Sequence, residues 1–204
     1  MNVAVFRALQ LGDLLCAVPA LRALRHGLPA ARITLVGLPW ARAFAARFAR
    51  YVDDFIEFPG FPGLPERAAD TAALPAFFAE ARRRRYALAV QMHGSGELTN
   101  ALVLQMGAGA VGGYYRRGAP CPDPERFAEW RDDEHEVLRG LRLVARLGCA
   151  PQGTALEFPL AAPDWREWRR FGLTAERYAV VHPGSQLASR RWPPERFAAV
   201  ADAL

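Results

Sequence analysis

The pair Gly12-Asp13 stands shortly after the apolar stretch Val3–Phe6. It heads a segment whose apolar residues Leu14, Val18, Leu21 and Leu24 fall at helical spacing. An aspartate between the end of a strand and the start of a helix sits where free backbone amides and the helix dipole favour its ionised form. In a cleft, such a carboxylate accepts the proton of an attacking hydroxyl, which is general-base chemistry. The same residue types also make an ordinary helix cap, with the glycine easing the turn. The local spacing admits both readings.

A second constellation runs from His182 to Pro193. Gly184 lets the backbone approach a ligand, and Ser185 and Gln186 offer polar donors. Arg190 brings a positive charge suited to a diphosphate, and Trp192 supports the loop or flanks a ring. An ordinary loop with a surface arginine and a packing tryptophan would read the same way. A third lies in Gln91-Met92-His93-Gly94-Ser95-Gly96-Glu97, where His93 and Ser95 are candidates to contact a substrate. A lone histidine is by default a hydrogen-bonded structural residue. The run Gly60–Pro65 either folds over a ligand or is a long connection.

These residues need elements to place them, and the chain alternates apolar runs with helix-period segments, the pattern of βα units on a parallel sheet. Strands are expected at Val3–Phe6, Ile33–Val36, Asp54–Phe58, Ala87–Met92 and Ala110–Tyr114. Helices are expected after Gly12-Asp13, and over Trp40–Tyr51, Asp70–Arg85, Leu98–Met106 and Glu134–Leu147. Pro19 splits the first helix or marks its true start, because proline fits only a first turn without cost. Arg116–Arg131 reads as irregular. Residues 1–150 then form a Rossmann-like domain, 151–176 a linker, and 177–204 the opening of a second domain. That opening has a strand at Tyr178–His182 and a helix from Pro194 to Leu204. In an open α/β sheet, ligands bind outside the carboxyl ends of the strands, where Asp13 and His93 both fall.

Composition bounds the function. The chain has 204 residues, 51% of them hydrophobic and 23% charged, enough to bury a core. No apolar run approaches the roughly 20 residues of a membrane span. The N-terminus lacks the charge order of a secretory signal, so a cytosolic protein is expected. Cys16, Cys121 and Cys149 are isolated and suit a reducing compartment. The net charge of +5 is carried by arginine alone, with no lysine, in an Ala-, Gly- and Pro-rich chain. That is the composition of a GC-rich genome rather than a nucleic-acid footprint, and no nucleic-acid motif accompanies it. The run Arg82–Arg85 falls at a helix end, where cations complement the dipole.

Arg7, Gly12-Asp13, Pro19-Ala20-Leu21 and Leu24-Arg25 resemble the opening of glycosyltransferase family 9, the ADP-heptose:lipopolysaccharide heptosyltransferases and their relatives. Val181-His182-Pro183-Gly184-Ser185, with Arg190-Arg191-Trp192-Pro193 and Phe197, is similar to the start of that family's nucleotide-sugar domain. The resemblance implies a bacterial enzyme of GT-B type, an α/β fold of two Rossmann-like domains, with the second cut after one βα unit.

It further implies inverting transfer of a heptose-like sugar from a nucleoside diphosphate to a lipopolysaccharide-core or other glycan acceptor. The donor would be ADP-heptose-like, with no metal or other cofactor. Asp13 would be the base, and Arg7, Gly12, His93 and Ser95 would lie at the acceptor. Gly184, Ser185, Gln186, Arg190 and Trp192 would hold the donor. Such enzymes are expected at the cytoplasmic face of the inner membrane, in peripheral contact with it, acting on glycan or lipid-linked acceptors. Two departures bear on substrate: Ala8–Leu11 stand where the family often has small hydroxyl residues, and arginine stands at 190 where lysine is common. The alternative is a non-catalytic module that binds phospho-glycans or lipid-linked sugars.

Overall fold

The computed structural model describes residues 1–174, 177–185 and 188–204. They divide into two compact units, Met1–Pro159 and Leu160–Leu204. The first contains β1 (Asn2–Phe6), α1 (Leu11–Gly27), β2 (Arg32–Gly37), α2 (Ala41–Arg47), β3 (Asp54–Glu57) and α3 (Leu74–Arg83). It continues with β4 (Leu88–Gln91), α4 (Thr99–Leu104), β5 (Ala110–Tyr115), β6 (Phe127–Glu129) and α5 (Glu136–Arg146).

The strands form one sheet in the order β3-β2-β1-β4-β5-β6, every neighbouring pair parallel. Alternation along a strand sends Val3 and Val5 to one face and Ala4 and Phe6 to the other. Both faces are covered, as a parallel sheet requires. Leu14, Leu21 and Leu24 of α1 pack with Leu141 and Val144 of α5 over the first face. Phe77 and Phe78 of α3 pack with Leu102 and Val103 of α4 over the second.

Three departures from expectation have physical causes. Helix α1 runs unbroken through Pro19 instead of splitting or starting there. An interior proline costs about 3 kcal/mol. Burial of Leu14, Val18, Leu21 and Leu24 offsets this at roughly 1.5–3 kcal/mol each. Strand β6 lies inside the segment expected to be irregular, pairing Phe127 with Gly113 and burying Phe127 and Ala128. Three residues are too few to show a period. The helix expected over Trp40–Tyr51 is regular only over Ala41–Arg47.

The arginine run ends α3 in ion pairs rather than as bare charge. Glu80 takes Arg83 and Arg84, and Arg84 also reaches Asp54. Arg67 ties the Gly60–Pro65 loop down, donating to Glu57 at 2.9 Å and to the Phe58 carbonyl at 2.8 Å. Residues preceding the unit boundary are held to the first unit. Arg22 donates to the Ala155 carbonyl at 2.8 Å, and Arg47 to that of Pro159 at 2.7 Å.

The second unit contains α6 (Ala162–Arg170), a 3-10 turn at Ala188–Arg190 and α7 (Pro194–Asp202). The strand expected over Tyr178–His182 is not formed. A parallel strand exists only as a hydrogen-bonded member of a sheet, and among the described residues of this unit no second strand pairs with it. No helix among the described residues is long and apolar enough to cross a membrane.

Candidate functional site

The order of the sheet reverses at β1: β2 and β3 lie to one side, and β4 to β6 to the other. The crevice beyond the carboxyl ends of β1 and β4 is therefore the switch point, where doubly wound sheets bind ligands. Phe6 and Gln91 are register partners at those ends. Arg7–Gln10 leaves β1 there, and Met92–Leu98 leaves β4 beside it.

Asp13 is the third residue of α1, not its cap. Gln10 is the cap, and its N–H donates to Asp13 Oδ2 at 3.1 Å. The carboxylate is half-buried and lines a cavity of about 400 Å³, shared with His93, Ser95, Glu66, Glu136 and Arg139. A part in the capping box and a place at the cavity thus coexist in one residue. Gly12 occupies the exposed second position of the helix, where an added Cβ would meet nothing within 4 Å. The local fold has no steric need of glycine there, and its φ is not left-handed. Gly12 adjoins Asp13 but is not itself among the residues that line the cavity.

Arg7, expected to face an acceptor, is buried and absent from the cavity lining. Its guanidinium is fully committed. Nε donates to the Asp13 carbonyl at 2.9 Å, one terminal nitrogen to the Met92 carbonyl, and the other to Glu136 Oε1 at 2.8 Å. It fastens the start of α1, the end of β4 and the start of α5 to one another. Desolvation is the reason: a guanidinium in this interior must satisfy its donors with fixed partners.

His93 is 4% exposed and stacks on Phe6 with ring centroids 5.3 Å apart. Its Nδ1 accepts the Ala8 N–H at 3.3 Å, which places the proton of the neutral ring on Nε2, 3.4 Å from Glu66 Oε1. Burial, reinforced by the Arg7 charge and opposed by Asp13, pushes the imidazole down to about 4. Its loop is fixed from beneath: Gln91 Nε2 donates to the His93 carbonyl at 2.6 Å, and Thr99 Oγ1 to the same oxygen at 2.9 Å. Ser95 Oγ donates to Glu97 at 2.9 Å on the cavity wall. Gly96 closes the turn at φ +93°, where a Cβ would lie 2.2 Å from the Tyr114 carbonyl.

Glu66, Glu136 and Arg139 were not found by sequence reasoning. Glu136 was discoverable, since helices after parallel strands begin at the carboxyl edge and its position is in the first turn of α5. Arg139 follows one turn on, bonded to Glu136 and stacked 3.8 Å over Trp130. Glu66 directly follows the Pro/Gly run, where no period marks it; with Leu64 it makes this stretch one wall of the cavity.

The donor-side candidates lie in the second unit. A Cβ added at Gly184 would meet nothing within 4 Å, and the Ser185 carbonyl accepts from Arg191 Nε at 2.6 Å. Arg190 is exposed at the end of the 3-10 turn. Trp192 packs edge-on against Phe197 of α7, 5.2 Å between centroids, in a loop-supporting position. Gln186 lies outside the described residues. Among the described residues, no group of three or more His, Cys, Asp or Glu side chains could hold a metal ion.

No protein-family model and no curated protein matches the chain in sequence. Solved structures do match in fold. A glycosyl transferase of family 9 from Veillonella parvula superposes over 99% of this chain with a TM-score of 0.71 at 20% identity. The E. coli ADP-heptose lps heptosyltransferase II matches over 100% of it at 0.64 and 19% identity, and E. coli heptosyltransferase WaaC with ADP over 100% at 0.62 and 17%. The chain has the α/β fold of these GT-B glycosyltransferases and spans 59%, 61% and 64% of their respective lengths.

Proposed function

We propose that this chain is the acceptor side of an inverting, nucleotide-sugar-dependent glycosyltransferase of family 9, with Asp13 as its general base. The observation that carries the reading is the placement of the Asp13 carboxylate. It stands at the head of α1, at the switch point of the sheet, on the wall of a cavity large enough for a sugar ring. The fold of the heptosyltransferase structures supports the same reading. One of them holds ADP and another ADP-2-deoxy-2-fluoro heptose, so an ADP-heptose-like donor is the co-substrate proposed.

The reaction is a single displacement. An acceptor hydroxyl gives its proton to Asp13, and its oxygen attacks the anomeric carbon. The bond from that carbon to the diphosphate oxygen breaks with its electron pair, inverting the centre. Asp13 stands in the first turn of α1, where the helix dipole favours a negative charge. Ser185, Gln186 and Arg190 are assigned to the diphosphate through the family-like sequence around them, and Arg190 would stabilise the leaving charge. The acceptor is a glycan, of the lipopolysaccharide core or of another class, reached at the cytoplasmic face of the membrane.

The test supplies the protein that carries this chain with ADP-heptose and a panel of glycan acceptors, and analyses the product by mass and anomeric coupling. Transferred sugar of inverted configuration is the expected result. Capture of the glycans with no transfer would contradict the enzyme and leave a binding module.

A further inference from the structure

Resting on the acceptor-side reading, we propose that the cavity beside Asp13 selects a sugar end bearing hydroxyls or an amine, and rejects phosphate and carboxylate. Four carboxylates line it, those of Asp13, Glu66, Glu97 and Glu136, against one guanidinium, that of Arg139. That guanidinium is committed: it pairs with Glu136 and donates to the carbonyls of Arg131 at 2.7 Å and Glu134 at 2.8 Å. Behind the wall Arg7 pairs with Glu136, and at the surface Arg116 pairs with Glu97 and Asp132. Among the described residues, neither Asp13 nor Glu66 is ion-paired with a guanidinium, Glu66 facing only His93. His93, neutral well below physiological pH, adds no charge.

A sugar hydroxyl can donate to either of these two lining carboxylates, whereas a phosphate dianion only accepts and would face both with no uncommitted cation on the wall. An ammonium meets the same pair favourably. Leu9, Leu64 and Leu98 supply apolar wall for the C–H faces of a ring. A charge-bearing group on the donor is served elsewhere, by Arg190 in the assignment above.

The experiment follows the Trp130 indole N–H, a cavity-wall reporter, by ¹H–¹⁵N NMR of the full chain at neutral pH. Methyl glucoside, methyl glucosaminide and glucose 6-phosphate are the titrants. The first two shift the resonance, the amine at the lowest concentration. The phosphate binds roughly tenfold more weakly than the glucoside, and half-molar salt or Glu66→Gln narrows that gap. Phosphate binding as tight as the glucoside's would overturn the proposal. So would exclusion that neither salt nor Glu66→Gln changes, since shape rather than charge would then be selecting. If no sugar of any charge moves the resonance while circular dichroism reports a folded chain, the acceptor-side reading itself fails and the selection with it.

Discussion

Arg7 Nε donates to the main-chain carbonyl of Asp13 at 2.9 Å, so the arginine that precedes the candidate base in sequence holds it from behind without touching its carboxylate. The same guanidinium ends on Glu136 at 2.8 Å. Position and charge at Asp13 are therefore separable, because one belongs to Arg7 and the other to the side chain itself.

Arg7→Met should remove that fastening and leave the Met92 carbonyl and part of Glu136 without partners. A loss of about 2–4 kcal/mol is expected, the cost of breaking a buried charged hydrogen-bond set from one side. Urea denaturation would read it as a lower midpoint at unchanged slope. A loss below about 1 kcal/mol would show that Arg7 is not a structural tie.

Gly12→Ala should do the opposite. Nothing lies within 4 Å of the added methyl, and alanine is favoured over glycine in a helix by about 0.5–1 kcal/mol. The melting temperature should rise while sugar binding at the Trp130 reporter weakens. A variant that gains stability and binds unchanged would remove Gly12 from the site.

Gly96→Ala tests a glycine required for the contrary reason. Its φ of +93° and a Cβ position 2.2 Å from a backbone oxygen leave no room for a side chain. A destabilisation above about 2 kcal/mol is expected in the same denaturation assay. A neutral result would mean that the turn after β4 rearranges freely.

His93 should titrate near 4, far below free imidazole. With the folded value depressed, the unfolded chain binds the proton first. The stabilising contribution of His93 is thus full above about pH 6.5 and lost progressively as pH falls towards 4. The size is about 3 kcal/mol at most. The imidazole C–H resonance should show a midpoint near 4, and His93→Gln should flatten the difference in stability over that window. A midpoint near 6.5 would contradict the burial argument.

The sequence carried the sheet well, because β1, β2, β4 and β5 are apolar runs bounded by turn residues and a parallel strand buried on both faces has to be such a run. It also carried the location of Asp13 and His93 near the carboxyl ends of β1 and β4, since each lies in the segment that leaves its strand. What it did not carry depends on contacts between distant segments. Phe127–Glu129 became a strand only because β5 offers an edge, whereas Tyr178–His182, a better strand by composition, has none among the described residues of its unit. Arg7 is placed at an acceptor by the family-like motif alone, which gives no sign of its partners Met92 and Glu136, remote in sequence. Glu66 carried no mark at all, its place on the cavity wall being set by how the Pro/Gly loop folds back.

The most direct measurement is the rate of sugar transfer by the protein carrying this chain, wild type against Asp13→Asn, with substrate saturation checked for each. The amide keeps the size of the side chain and an oxygen for the Gln10 N–H, so the fold and sugar binding at the Trp130 reporter should persist. Turnover should fall by about 10²–10⁴, the usual contribution of a general base. Transfer by Asp13→Asn within about threefold of wild type would contradict the assignment of Asp13 as the proton acceptor.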